Sequence, residues 1–268
     1  MHTLKLLCRK ASSAQVGVYA ANAAFFILLS IFPAMMLLIG LLQYTPLTPT
    51  DLQIALSGFF PEALSPLLDY MTQELFAMNS VGLLSVSAVV AVWSSSRGVY
   101  SLIRGINKVY CVEETRTYLV LRLRSVLDTV LLLLALIATL ILHLFGKQLG
   151  TELGARGLFM LASLFQANHL FIFVVLTLLF TAFYAWFPSR KQKLLRALPG
   201  AAGTALGWII FSALFTFYVS RSVDYSIYYG SLSVIALTML WLYVCMCIFF
   251  YGGMLNVWLF ERNSNVRN

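Results

Sequence analysis

The chain has 268 residues, of which 60% are apolar and only 10% charged, and its net charge is +8. Soluble domains run nearer to about 45–50% and 25%, so an ordinary soluble domain is excluded. A pI near 9.4 raises nucleic acid as a partner in a soluble protein, but here basic loops beside anionic lipid are the stronger reading.

The apolar residues are gathered in runs of about twenty, long enough to cross a hydrocarbon core as helix. In lipid the backbone must satisfy its own hydrogen bonds, so the runs are expected to be helices. Barrel strands would alternate polar and apolar residues, and these runs do not. The expectation is an all-α polytopic transmembrane bundle with interfacial amphipathic helices, forming a single integral membrane domain over 1–268.

Lys5, Arg9 and Lys10 precede the first apolar run as in a signal peptide. That run is long and lacks a clear small-residue cleavage site, so an uncleaved first span over 20–42 fits better. Asn22, Ser30 and Pro33 lie along it. Intramembrane polar groups are costly, and they read either as a gate or polar path or as a kink that serves packing. A serine near a mid-span proline can satisfy a freed carbonyl. The segment 43–79 carries Asp51, Glu62, Asp69 and Glu74 without any Lys or Arg, punctuated by four prolines. Short amphipathic helices on the outer surface are expected there.

The second span, 80–97, is short and rich in Ser and Gly. It closes on Trp93-Ser94-Ser95-Ser96-Arg97-Gly98. Arg97 suits either a phosphate-like anion or snorkelling to headgroups. Beyond it, Val99, Leu102, Ile103, Ile106 and Tyr110 recur at helical spacing, with Arg97, Arg104 and Lys108 on the opposite side. That pattern predicts a basic amphipathic helix on the cytoplasmic face. The third span is expected over 126–146, with Asp128 beside Arg122 and Arg124. This is an ion pair in the plain reading and a proton relay if Asp128 faces a cavity.

An outer re-entrant or interfacial piece over 153–165 should precede the fourth span, 168–188. Pro199 suits the first turn of the fifth span, 199–220, where Gly203 and Gly207 form a GxxxG that permits close helix approach. Tyr225, Tyr228 and Tyr229, before the sixth span at 231–259, suit an aromatic belt or the mouth of a path. With the N-terminus inside, 15 of the 18 basic residues fall in inner segments. This bias supports six spans with both termini in the cytoplasm.

Chemistry is not visible. The cysteines at 8, 111, 245 and 247 make no CxxC or zinc spacing, and Cys245 and Cys247 read as packing residues. There is no HExxH, P-loop, GxGxxG or nucleophile elbow. His143 and His169 fall near neighbouring span ends, where separate packing is favoured over a shared metal. No catalytic residue, cofactor or metal site is expected.

Several groups carry a resemblance over nearly the whole chain. They are Tyr19-Ala20 through Ser30 and Pro33; Trp93 through Gly98 with Asn107 and Tyr110; Leu198-Pro199-Gly200 with Trp208; Tyr218, Tyr225 and Tyr229-Gly230; and Leu240-Trp241 with Gly252 to Asn256. In order and spacing they resemble the YihY / virulence factor BrkB family of bacterial inner-membrane proteins. The resemblance implies a six-span protein of that membrane and a proposed role in moving lipids or other envelope components. An older family label, ribonuclease BN, has no counterpart here in metal-binding histidine motifs. The family often has an acidic residue where this chain has Met254, so a mechanism needing that carboxylate does not carry over. The resulting expectation is a transporter or lipid translocator with a path lined by Asn22, Ser30, Pro33, Arg97, Asn107 and Asn256. Its partners would be membrane lipids and anionic headgroups at the cytoplasmic face, not nucleic acid. A non-transporting scaffold or envelope-assembly factor is the alternative.

Overall fold

In a computed structural model the described residues are 15–42, 50, 53, 60–77, 81–155, 168–190, 192–221 and 231–265. They form helices α1 (Val16–Leu42), α2 (Ser65–Ala77), α3 (Val81–Val109), α4 (Tyr118–Ala155), α5 (Asn168–Trp186), α6 (Leu194–Arg221) and α7 (Ser231–Asn265). A short 3-10 turn, Glu62–Leu64, leads into α2. No strand occurs among the described residues.

Among the described residues three stretches are long and apolar enough to cross a membrane by length and composition: Val16–Met36, Leu194–Arg221 and Ser233–Leu259. Leu170–Trp186 is apolar but shorter. The chain is therefore an all-helical, multi-pass membrane protein. Its large apolar side chains point outward in stripes, as lipid requires: Leu119, Leu123, Leu127, Leu131 and Leu134 repeat along one side of α4. Ser125 and Thr129 lie on the buried side of α4. Each donates its hydroxyl to the carbonyl four residues back, so neither leaves an unmade hydrogen bond in an apolar setting.

The buried core is built from pairs of antiparallel helices. α3 packs along α1, α6 along α5, and α7 lies against both α1 and α6. The seam of α5, α6 and α7 is aromatic. Phe183 stacks on Phe187 at 4.6 Å, Tyr184 on Phe249 at 5.0 Å, and Trp208 meets Trp241 edge-on at 5.5 Å. Trp241 also donates its indole N–H to the Ser212 hydroxyl at 3.1 Å.

Several expected boundaries move. The second span and the amphipathic segment after it are one unbroken 29-residue helix, α3. Its predicted faces hold: Val99, Leu102, Ile103 and Ile106 are buried, while Arg97, Arg104 and Lys108 are exposed. The apolar face packs on α1 and α7 rather than lying on a lipid surface. A Cβ on Gly105 would stand 2.4 Å from the Phe250 ring and 2.9 Å from Tyr19. The expected third span lies in α4, which is longer than that span, 38 residues or about 57 Å at 1.5 Å per residue. It reaches Ala155 as continuous helix, and 156–167 lie outside the described residues. α2 supplies the expected short amphipathic helix, burying Leu68, Met71 and Thr72 and exposing Asp69 and Tyr70. The loop tyrosines at 225, 228 and 229 and the side chains of His143 and His169 lie outside what the structure describes.

Pro199 is not in the first turn of its helix, since α6 begins five residues earlier at Leu194. Lys193 starts that helix by accepting from the N–H groups of Arg196 and Ala197. A proline inside a helix removes a donor and disturbs the carbonyl one turn back. Here a side chain from α7 occupies the neighbouring backbone groups, as described next.

Candidate functional site

Two polar clusters form at the end of the bundle where α3, α5 and α7 finish and α4 and α6 begin. The first joins two loops. α3 ends in a Schellman-type cap: Val112 N–H bonds the Asn107 carbonyl at 2.9 Å and Cys111 N–H bonds the Lys108 carbonyl at 3.2 Å. Cys111 takes the left-handed conformation such a cap needs, with φ 53°. The chain thereby folds back, and Glu114 and Arg116 come beside the helix they have just left.

Asn107 is the hub of this latch. Its amide donates to Glu114 Oε2 at 2.6 Å and to Ser189 Oγ at 3.1 Å. Its carbonyl accepts from the Ser189 backbone N–H at 2.8 Å. Arg116 holds Glu114 with two parallel bonds, Nε to Oε1 at 2.7 Å and Nη2 to Oε2 at 2.9 Å, the strong fork geometry. Arg116 Nη2 also reaches Ser189 Oγ at 2.9 Å. The α3–α4 loop is thus tied to the α5–α6 loop.

Burial by itself would raise the Glu114 carboxyl. The Arg116 guanidinium and backbone N–H, with the Ser189 hydroxyl, together outweigh it and hold Glu114 below its ordinary range. A carboxyl depressed by folding stabilises the fold above its unfolded-state range, and that contribution fades as pH falls through the folded value. The melting midpoint should therefore drop as pH falls below the ordinary carboxylate range, and less steeply in Glu114→Gln. Equal drops in the two proteins would place the acid sensitivity elsewhere.

The second cluster is deeper. Asn256 is buried and its amide spans the Pro199 region of α6. Gly200 N–H donates to Asn256 Oδ1 at 2.7 Å, and Asn256 Nδ2 donates to the Ala197 carbonyl at 3.1 Å. The same Nδ2 lies 3.4 Å from Tyr110 Oη. Burial pushes the Tyr110 hydroxyl up to about 12, against the opposing pull of Asn256, so it stays protonated at neutral pH. One turn further, Tyr184 Oη lies 2.7 Å from Thr204 Oγ1 and donates to the Phe249 carbonyl.

Glycine makes this crossing possible. A Cβ on Gly200 would stand 2.3 Å from the Gly252 carbonyl oxygen, and one on Gly252 would stand 1.8 Å from Thr204 Oγ1. The predicted GxxxG also faces α7, but more loosely: a Cβ on Gly203 would stand 3.3 Å from the Leu255 side chain and one on Gly207 would stand 3.0 Å from that of Ile248.

The expected path residues do not converge. Asn22 is exposed on α1, and Arg97 is exposed with its guanidinium over the Phe26 ring at 5.3 Å. Pro33 lies half-buried within α1. Ser30 is buried but donates to the Ile27 carbonyl at 2.7 Å. It does not serve the Leu29 carbonyl that Pro33 frees, because a helical serine reaches only the carbonyls three or four residues back. Asn107 and Asn256 do share one end, where Asn256 meets Tyr110, three residues beyond Asn107. Asp128 makes the expected pair with Arg124, 3.5 Å apart, and Arg124 also donates to the Trp186 carbonyl. Ser189, Glu114 and Tyr184 were not singled out from sequence. The signal for Glu114 was present, an acidic pair in an otherwise basic inner segment.

Beside the latch a cleft of about 600 Å³ opens between α1, α3 and the α3–α4 loop, lined by Tyr19, Arg104, Asn107, Lys108, Glu113 and Glu114 among others. Cys111 also lines it and is exposed. No group of three His, Cys, Asp or Glu is placed to hold a metal among the described residues.

A family model described as "Virulence factor BrkB" matches residues 7–268. A Bacillus subtilis (strain 168) protein named as ribonuclease-like, YfkH, is 34% identical over 91% of this chain and 90% of its own length. UPF0761 membrane proteins are more distant. That of Actinobacillus pleuropneumoniae is 24% identical over 94% of this chain and 91% of its own length. That of Aromatoleum aromaticum is 24% identical over 98% and 66%. No solved structure matches.

Proposed function

The chain belongs to the virulence factor BrkB family of membrane proteins, and from that premise we propose that it moves a lipid or other envelope component in a bacterial inner membrane. In this reading α1, α3, α4, α5, α6 and α7 each cross the bilayer, both termini are cytoplasmic, and the clustered charges face the cytoplasm. The supporting observation is the cleft beside α3. It places Arg104, Lys108 and Glu113 next to the latch that joins two inter-helix loops, so an occupant there touches the part of the molecule that couples helix pairs. The relative named as ribonuclease-like does not bring nuclease chemistry with its name, since activity is argued from a site.

The reading predicts protein-dependent movement of a fluorescent-headgroup lipid between leaflets of reconstituted vesicles. A bulky maleimide on Cys111, with Cys8, Cys245 and Cys247 replaced by Ala, should abolish that movement by filling the cleft. Vesicles with and without protein showing the same rate would remove the translocator reading.

One observation favours a second reading, a non-transporting scaffold. Asn22 and Arg97 face outward while Ser30 bonds within its own helix, so these residues do not trace a polar route through the bundle. Equal vesicle rates together with a reproducible crosslinked protein partner would support that reading.

A further inference from the structure

Among the described residues the cleft holds charges without an ionic partner. Arg104 and Lys108 are one turn apart on the same exposed face of α3, with Cβ atoms about 5–6 Å apart at that spacing. Like charges so placed are mildly destabilising. Glu113 lines the same cleft, yet it pairs with neither cation among the described residues. The adjacent Glu114 is fully engaged by Arg116, so the contrast is between neighbours. Among the described residues Arg104 is steered only by the Tyr100 ring, 5.7 Å from its guanidinium carbon. Tyr19 lines the same space from α1.

The depth of the cleft is also informative. Leu119 is 77% and Leu195 84% exposed. These residues carry apolar surface to the level of Tyr100, whose ring meets Tyr118 at 6.1 Å, and of Ala197, which bonds Asn256. Arg104 lies one turn beyond Tyr100. The charges thus sit where apolar surface gives way to polar, the depth of lipid headgroups.

We propose that this cleft binds a phosphate carrying a neighbouring ammonium group, the chemistry of a phosphoethanolamine headgroup, with Arg104, Lys108 and Tyr19 on the phosphate and Glu113 on the ammonium. Two cations and a hydroxyl match the several acceptor oxygens of a phosphate. The unpaired carboxylate selects an occupant that also brings a positive charge and disfavours a purely anionic one. The inference names the ligand class for the translocator reading and rests on it for purpose, but binding is measured without transport.

Detergent-solubilised full-length protein is titrated with phosphatidylethanolamine, phosphatidylglycerol, phosphoethanolamine and glycerol phosphate, with retention read by native mass spectrometry. Phosphatidylethanolamine should be retained at least about tenfold better than phosphatidylglycerol, the effect of one well-placed ionic contact. The double variant Arg104→Ala, Lys108→Ala should lose both lipids, while Arg104→Lys, Lys108→Arg keeps them and so controls for folding. Glu113→Gln should erase the preference between the two lipids. Retention of lipid without the soluble ester assigns the bilayer as the source, and equal retention assigns the soluble pool; either upholds the site. Equal binding of the two lipids by the unaltered protein, or retention unaffected by the double alanine variant, overturns it. Selective binding without leaflet exchange would sink the translocator reading and leave the site standing.

Discussion

Gly252→Ala is expected to destabilise the protein by about 3 kcal/mol through overpacking. The added methyl would occupy the position of Thr204 Oγ1, 1.8 Å from it, and would stand 2.7 Å from Tyr184 Oη. Neither neighbour can retreat cheaply. Thr204 is held by its bond to the Gly200 carbonyl at 2.8 Å, and Tyr184 is buried between Thr204 and Phe249. α6 and α7 must separate, and the Tyr184–Thr204 contact breaks. Gly203→Ala is the matched control on the same interface. Its methyl would meet only the flexible end of Leu255 at 3.3 Å, so its effect should stay within about 0.5 kcal/mol. Thermal unfolding of the purified protein in one detergent measures both. Equal midpoints for the two variants would show that α6 and α7 do not cross at Gly252.

Asn256→Ala should cost about 2–3 kcal/mol. It strands the Gly200 N–H and the Ala197 carbonyl where Asn256 itself is only 1% exposed. Each orphaned buried group costs about 1–3 kcal/mol, although polar contacts between membrane helices average less. Asn107→Ala offers the comparison. Its partners sit in loops at the edge of the bundle, where water can replace the lost amide, and about 1 kcal/mol is expected. Asn256→Asp keeps the acceptor for Gly200 but loses the donor to Ala197, so it should not restore the parent midpoint. If Asn256→Ala proved milder than Asn107→Ala, the amide would not be what completes α6 around Pro199.

Much of the helical content was legible in the sequence because apolar run length is a direct consequence of bilayer thickness. The faces of α3 were legible for a similar reason: Val99, Leu102, Ile103 and Ile106 fall on one side by helical period alone. The end points were less so. α3 and α4 continue past their apolar cores because polar residues such as Arg104, Arg122 and Arg124 are compatible with helix wherever a neighbour or water receives them. Hydropathy reports the bilayer and not the hydrogen-bond ladder. Pro199 was misplaced by five residues because the rule for prolines at helix starts assumes no outside help, and Asn256 supplies that help from 56 residues away. The candidate path was read from residues that are polar in apolar runs, and that signal does not say which way a side chain points. Asn22 and Arg97 point out, whereas Asn107 and Asn256 point in. Their partners, Ser189 and Gly200, are unremarkable in sequence and acquire a role only through folding.

The amide of Asn256 has a consequence for biosynthesis. Helices of a membrane protein enter the bilayer in the order they are translated, and α6 is made before α7. Until α7 arrives, Gly200 N–H and the Ala197 carbonyl have no Asn256 to meet, and the Gly252 groove against which α6 settles does not exist. A chain released after α6 and before α7 therefore leaves these two backbone groups without their side-chain partner, a feature that quality-control proteases can read. Chains released without residue 256 should therefore be cleared faster than full-length chains, because only the latter supply the carboxamide that meets Gly200 and Ala197.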